Sequence, residues 1–179
     1  LSRTSELPNI KWTFTILDTP QINAFAVPGG YVYVTRGLIS LASSEAELSG
    51  VIAHEIGHIT ARHTAQRYSS SMVTSGLTMA AGIFLGSIAG DVADLASNIA
   101  VKSYSRSQEF EADTLGVRYL SRNGYDLTAV PKFLSKLRAN SKLEAKRQKS
   151  DPLKVDSTDI FATHPRTLDR VKRAIKNKK

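Results

Sequence analysis

The sequence predicts an α+β fold that is mainly helical, with a small three-stranded sheet beside one long helix. Three short segments with strand-like patterns lie before residue 36, and helical spacing of apolar residues dominates afterwards. The chain has 179 residues, of which 41% are hydrophobic and 22% charged. This size and composition are typical of one globular domain with its own core, so we predict a single domain over residues 1–179.

The first predicted strand covers residues 10–17, where polar and apolar residues alternate as in a half-buried strand. Its predicted buried face consists of Ile10, Trp12, Phe14 and Ile16. Residues 23–27 and 31–35 are predicted as two further strands, because Pro28-Gly29-Gly30 between them favours a turn.

The first long helix is predicted to begin at Ser44 and to run to about Arg67. Ser44 and Glu47 have the spacing of a capping box, and apolar residues follow with helical spacing. A second long helix is predicted from about Val92 to Arg122, where Asn123-Gly124 is a typical end signal.

The C-terminal part is predicted to hold two more helices. Thr128 is a candidate cap for the first, with Pro131 tolerated in its first turn. Residues 141–158 are polar and contain a proline, which predicts an exposed loop, and the last helix is expected to start near Pro165. No internal repeats are present.

Residues 72–89 form an apolar run rich in small residues, and its role stays open. A buried or interfacial helix is favoured, since the small residues dilute its hydrophobicity, but membrane insertion and a loop are alternatives. Residues 1–9 lack the charged and apolar parts of a signal peptide.

The net charge of +8 comes from the C-terminal part, where residues 132–179 hold 15 Lys and Arg against 5 Asp and Glu. Such an excess suits an anionic membrane surface or acidic partners. No nucleic-acid module is recognisable, so a solvated basic face is the better interpretation and nucleic acid is not an expected partner. The chain has no cysteine, so a transition-metal site must use histidine and carboxylate ligands.

The strongest chemical signal is His54-Glu55-Ile56-Gly57-His58, an HExxH pattern on the first long helix. Side chains four positions apart on a helix differ by about 40° of rotation, so His54 and His58 can bind one zinc ion. Glu55 lies beside that face and can take a proton from metal-bound water. The alternative is that these residues face solvent, but the uncharged flanks argue for burial, which is costly for unpartnered polar groups.

His63 is not predicted to share this metal. It lies about 140° around a continuous helix from His58, so only a break in the helix would bring it close. We therefore expect a surface or core-edge histidine.

A third ligand is expected among the acidic residues of the second long helix. Glu109 and Asp113 are four positions apart on one face, and Gly116 near that face would allow another helix to approach. One carboxylate could bind the metal while the other orients a ligating histidine. Spacing alone leaves Glu109, Glu111 and Asp113 as alternatives.

Four blocks of the sequence resemble the family of zinc peptidases that contains HtpX and the CAAX prenyl protease. They are residues 23–38, 45–58, 105–113 and 163–170, in the family order. The resemblance implies a zincin-like catalytic domain with one Zn²⁺, held by His54, His58 and Glu109. It also implies that Asp113 contacts and orients a ligating histidine. It also implies that His164 and Arg170 lie near the reacting carbonyl. In some relatives the equivalent histidine is instead an inhibitory fourth zinc ligand.

The resemblance further implies polypeptide substrates that pair with an edge strand. The matching residues are Asn23, Ala24, Phe25 and Ala26, with residues 31–35 as the alternative strand. The chain has at most one candidate membrane segment, so it resembles the soluble bacterial members, which are often periplasmic or membrane-tethered and act in protein quality control. We therefore expect a zinc endopeptidase. A zinc-bound chaperone or adaptor with little turnover is the main alternative, and another zinc hydrolase is a third.

Overall fold

The computed structural model describes residues 1–75, 103–147 and 164. After a short 3-10 helix at Ser2–Thr4, the chain forms strands β1 (Thr13–Leu17), β2 (Ala24–Val27) and β3 (Tyr31–Thr35). The helices that follow are α1 (Arg36–Leu41), α2 (Glu45–Thr60), α3 (His63–Ser75), α4 (Arg106–Arg122) and α5 (Ala129–Arg147). The predicted α+β class with a small three-stranded sheet is confirmed.

The sheet has the order β1-β3-β2, with β1 parallel and β2 antiparallel to β3. Gly29 and Gly30 both have positive φ values, +96° and +95°, which explains why glycine occupies the β2–β3 turn. Because β3 is central, both of its edges are hydrogen-bonded to neighbouring strands. This excludes residues 31–35 as a substrate-pairing edge and leaves β2 as the predicted candidate.

Helix α2 is covered on two sides, which is why its sequence is apolar around most of its circumference. One side packs on β2, β3 and α5 through residues that include Val51, Ile59 and Phe133. The other side packs on α4 through Ala53, Ile56 and Tyr119. The HExxH motif therefore lies on the most enclosed helix of the described structure.

Helices α2 and α4 approach closely where each presents a glycine. A Cβ atom on Gly57 would lie 2.8 Å from the Ala112 carbonyl oxygen, and one on Gly116 would lie 3.2 Å from the backbone nitrogen of His54. The expectation that Gly116 permits a close helix is confirmed. Gly57 has the same role on the facing helix, which its place inside the HExxH pattern does not indicate.

The N-terminus of α2 is at the predicted position, but its capping differs in one bond. The Ser44 hydroxyl accepts from the Glu47 backbone N–H at 3.2 Å, as expected. The Glu47 carboxylate, however, accepts from the Ser43 N–H at 2.8 Å instead of from that of Ser44. The complete capping box belongs to α4, where Ser105 and Gln108 exchange both bonds.

Three predicted boundaries were wrong. The helix expected to reach Arg67 ends at Thr60, and α3 begins at His63 after a turn in which Arg62 has φ +61°. Residues 103–105 are not helical, so α4 begins at Arg106 and does not continue a helix from Val92. Helix α5 runs to Arg147, and residues 141–147 are therefore helical instead of an exposed loop.

The predicted buried face of the first strand is only partly correct. Ile10 and Trp12 are partly buried, but Phe14 and Ile16 are 48% and 69% exposed. Strand β1 is an edge strand, and among the described elements it packs mainly on β3, which leaves these two side chains exposed.

Several predictions fall outside the described residues. These are the last helix, Arg170 and most of the run at residues 72–90, of which residues 72–75 belong to α3. Among the helices that the structure describes, none is long and apolar enough to cross a membrane.

Candidate metal centre

The two histidines of the motif meet on one face of α2, as helical spacing predicts. Their Nε2 atoms lie 3.0 Å apart, and their rings are at 86° to each other. His58 is fully buried, while 13% of the His54 side chain is exposed. Both rings therefore direct a nitrogen to one point from adjacent turns.

Glu109 in the first turn of α4 brings a carboxylate to the same point. Its Oε1 lies 3.4 Å from His58 Nε2, and its Oε2 lies 3.6 Å from His54 Nε2. Glu109 is fully buried, and its position near the helix N-terminus favours its negative charge. Glu111 is 61% exposed and points elsewhere, so of the three acids left open by spacing, Glu109 lies between the histidines.

His164 completes the cluster from a distant part of the chain. Its Nδ1 lies 2.9 Å from Glu109 Oε1 and 3.1 Å from His54 Nε2. One ligand atom from each of His54, His58, Glu109 and His164 can be chosen so that all lie within 4.8 Å of one another. Among the described residues this is the group suited to hold a metal ion.

The cluster fits zinc by its chemistry and by its spacing. Imidazole nitrogens and a carboxylate oxygen are standard zinc ligands, and tetrahedral bonds of about 2.0–2.1 Å place ligand atoms about 3.3 Å apart. The separations of 3.0, 3.4 and 3.6 Å in the structure lie around that value. A cation between these atoms would also offset the mutual repulsion of their lone pairs.

Asp113 contacts the outer nitrogen of His54. Its Oδ1 lies 2.9 Å from His54 Nδ1, so Nδ1–H can donate to Asp113 while Nε2 keeps its lone pair for the metal. Burial raises the pKa of Asp113 to about 8, and the nearby charge of His164 acts in the opposite direction. A divalent cation held by His54 would favour the ionised carboxylate further.

Glu55 lies inside the closed site. It is only 1% exposed, and its Oε1 lies 3.3 Å from His164 Nε2. Burial lowers the pKa of His164, although the charge of Glu55 opposes this shift. The expected general base and the expected carbonyl-side histidine are therefore neighbours in this structure.

Three residues around His58 were missed by the sequence analysis. The ring of Tyr104 stacks on His58 with centroids 3.8 Å apart, and Arg67 lies 4.5 Å from the Tyr104 centroid. Burial raises the pKa of Tyr104 to about 12. His63 is 2% exposed and its Nδ1 lies 3.1 Å from His58 Nδ1. Spacing along the sequence does not indicate that Tyr104 or Arg67 lies near His58. His63 contacts His58 only because the helix breaks after α2.

Comparison with known proteins identifies the family. The sequence pattern of peptidase family M48 matches residues 1–178. The chain belongs to peptidase family M48. This confirms the resemblance stated from the four blocks, and with it the metallopeptidase class and the zinc cofactor.

Several named proteases are similar to this chain. It is 36% identical over 170 residues to a putative beta-barrel assembly-enhancing protease of Vibrio cholerae, covering 89% of the chain and 33% of that protein. It is 33% identical to the beta-barrel assembly-enhancing protease of Escherichia coli, over 85% of the chain and 31% of that protein. The mitochondrial metalloendopeptidase OMA1 of Arabidopsis thaliana is 33% identical over 75% of the chain and 27% of its own length. The chain thus spans about a third of these relatives.

Proposed function

We propose that this M48 chain is a zinc endopeptidase, with zinc held by His54, His58 and Glu109. The observation that carries the proposal is the convergence of the two Nε2 atoms and the Glu109 carboxylate within 3.0–3.6 Å, from two helices. Asp113 orients His54 through its contact with Nδ1. Zinc bound there would polarise a substrate carbonyl and make water more acidic.

Glu55 acts as the general base in this proposal. It takes a proton from the attacking water and transfers it to the leaving amine. Its Oε1 lies 3.3 Å from His164 Nε2, so the carboxylate lies beside the proposed ligand cluster, which supports the role.

Substrate is proposed to pair with the outer edge of β2. The Thr35 N–H donates to the Asn23 oxygen at 3.0 Å, and the Asn23 N–H donates to the Thr35 hydroxyl at 2.9 Å, so the polar backbone groups of Asn23 face Thr35. Because hydrogen-bonded pairs alternate in antiparallel strands, the N–H and C=O groups of Ala24 and Ala26 point away from β3. Backbone pairing of this kind favours extended or unfolded polypeptide segments with little side-chain selectivity.

The low exposure of the described residues supports a closed state for the proposed site. Ala24 and Ala26 are 0% and 3% exposed, so the outer edge of β2 is covered. The position of His164 Nδ1 beside two of the proposed ligands supports its role as a fourth ligand that keeps the site inactive. An oxyanion role for His164 then requires its ring to move, and the role proposed for Arg170 concerns a residue outside the described range.

A role in protein quality control at a membrane-bounded compartment is proposed from the relatives. Their names refer to beta-barrel assembly in two bacteria and to mitochondria in a plant. For this chain we propose a bacterial envelope location, with the periplasm favoured. Peripheral membrane contact would use residues 72–90 or the basic C-terminal region.

The closed site also favours a second candidate, a zinc-bound chaperone or adaptor with low turnover. Glu55 and His58 are 1% and 0% exposed, so a substrate carbonyl cannot reach them without a rearrangement. The same β2 edge could hold an unfolded chain without cleaving it.

The deciding experiment compares the wild type with Glu55→Gln on casein after zinc loading. The proposal expects cleavage by the wild type and a loss of at least about 100-fold in the variant, with one zinc retained in each. Aggregation suppression without any cleavage by the wild type would instead support the chaperone.

The ligand set has a separate test. Glu109→Ala is expected to lose stoichiometric zinc, whereas the matched variant Glu111→Ala retains it at saturating metal, because Glu111 is exposed. The reverse result would overturn the assignment of Glu109.

A further inference from the structure

The break between α2 and α3 returns the chain to the metal centre. The Arg62 N–H donates to the Ile59 oxygen at 3.0 Å, and Arg62 adopts the left-handed conformation with φ +61°. This conformation is costly for a residue with a side chain, by about 1–2 kcal/mol. The turn that results places His63, the first residue of α3, back against His58.

The side chains of His58, His63 and Glu111 form a continuous polar chain leading outward from the metal centre. His58 Nδ1 and His63 Nδ1 are 3.1 Å apart, and His63 Nε2 lies 3.2 Å from Glu111 Oε2. His58 and His63 are 0% and 2% exposed, so water does not replace these contacts, whereas Glu111 reaches the surface.

The donor and acceptor roles along this chain follow from metal binding. If His58 Nε2 binds zinc, its proton is on Nδ1, and Nδ1–H must donate to His63 Nδ1. A neutral His63 that accepts at Nδ1 carries its own proton on Nε2, and this N–H faces the Glu111 carboxylate. Each contact then has one donor and one acceptor, so no two N–H groups face each other.

We propose that His63 is a positioning residue that orients the zinc ligand His58, and that Glu111 holds His63 in the accepting tautomer. The inference deepens the proposed function and rests on it. The two zinc histidines would then have different outer partners, since His54 contacts the carboxylate of Asp113 and His58 contacts a neutral imidazole. Partners of this kind fix ring orientation and ligand basicity.

The experiment uses two substitutions that separate the two contacts of His63. In His63→Asn, the amide oxygen occupies the place of Nδ1 and can still accept from His58, but the bond to Glu111 is lost. In His63→Gln, the amide nitrogen can still reach Glu111, but the acceptor next to His58 is lost. Zinc dissociation constants are measured by competition with a chromophoric chelator at one pH, together with the thermal midpoint of each metal-free protein.

A third variant controls for the packing of α3 on α4. Gln66 on α3 accepts a hydrogen bond from the Gln108 side chain on α4 at 3.1 Å, parallel to the contact between His63 and Glu111. Gln66→Ala removes this link, which joins the same two helices away from His58.

We expect His63→Gln to weaken zinc binding by roughly 10- to 100-fold, while His63→Asn and Gln66→Ala stay within roughly threefold of the wild type. Equal zinc affinity in His63→Gln and the wild type would overturn the inference. It would also be overturned if Asn and Gln weakened zinc equally while lowering the metal-free midpoint together, since that result describes a packing role. A wild type that binds no zinc would overturn the proposed function itself.

Discussion

The Nδ1 atom of His54 lies 2.9 Å from Oδ1 of Asp113, so one face of α4 supplies both a candidate ligand and the group that orients another ligand. Asp113→Ala removes the acceptor for Nδ1–H. We expect a loss of zinc affinity of roughly 10- to 100-fold, measured by chelator competition, because the His54 ring loses its fixed orientation.

Asp113→Asn provides the graded comparison for this prediction. Its amide oxygen can still accept from His54, but the negative charge is lost, so the decrease should be smaller than in Asp113→Ala. Unchanged affinity in both variants would show that Asp113 does not support the ligand.

His164→Ala is expected to raise casein cleavage at constant zinc content. The His164 ring lies against both His54 and Glu55, with Nδ1 at 3.1 Å from His54 Nε2 and Nε2 at 3.3 Å from Glu55 Oε1. Its removal opens a coordination position and frees the general base. The measurement is the initial rate of cleavage with zinc content determined in parallel. A fall of about 100-fold would assign His164 to oxyanion stabilisation instead.

Gly57→Ala should destabilise the protein by about 1–3 kcal/mol and lower its zinc affinity. The added Cβ would lie 2.8 Å from a backbone oxygen of Ala112, so α2 and α4 must separate. Urea unfolding and chelator competition measure the two effects.

Gly116→Ala is the matched comparison. Its Cβ would meet backbone atoms at 3.2–3.4 Å, and the better helix propensity of alanine offsets part of this cost. Equal losses of stability and zinc affinity in Gly57→Ala and Gly116→Ala would contradict this prediction.

The ion pair between Glu47 and Lys136 predicts a pH-dependent stability. Lys136 Nζ lies 2.7 Å from Glu47 Oε2, and its hydrogen bond lowers the pKa of Glu47 although burial acts in the opposite direction. A lowered carboxylate pKa stabilises the fold above the unfolded value of about 4.3, and this contribution is lost as pH falls through the folded value. Glu47→Gln should therefore cost about 1–2 kcal/mol at pH 7 and much less near pH 3.

Urea unfolding of the wild type and Glu47→Gln at both pH values measures this difference. The exposed pair of Glu144 and Arg147, at 2.8 Å, supplies the control. Glu144→Gln should change stability by less than about 0.5 kcal/mol at either pH. A cost for Glu47→Gln that does not depend on pH would contradict the prediction.

Local patterns predicted the parts of the fold that local interactions determine. Ser44 at the start of α2 and Asn123-Gly124 at the end of α4 are capping signals that act within a few residues, and both boundaries were confirmed. The end of α2 has no such signal, because neither Ala61 nor Arg62 is a helix breaker. The exposure of Phe14 and Ile16 depends on which helices cover the sheet, which alternation along one strand does not contain.

The candidate site also contains residues that local spacing predicts and residues that it does not. Helical spacing alone brought His54 and His58 together, because their separation is fixed within one helix. The choice of Glu109 needed the family resemblance, since spacing did not distinguish it from Glu111. The contact of His63 with His58 was excluded for a continuous helix, and it exists because Arg62 adopts a left-handed conformation.

The proposed zinc ligands His58 and Glu109 lie on separate helices, 51 positions apart in the chain. An ion bound by both would act as a removable cross-link between segments that contain no cysteine and therefore no disulfide. The affinity of such an ion is also folding free energy, because the unfolded chain does not present the ligands together. Chelation should then lower the resistance of α2 and α4 to unfolding, so that zinc supply controls the lifetime of the protein as well as its activity.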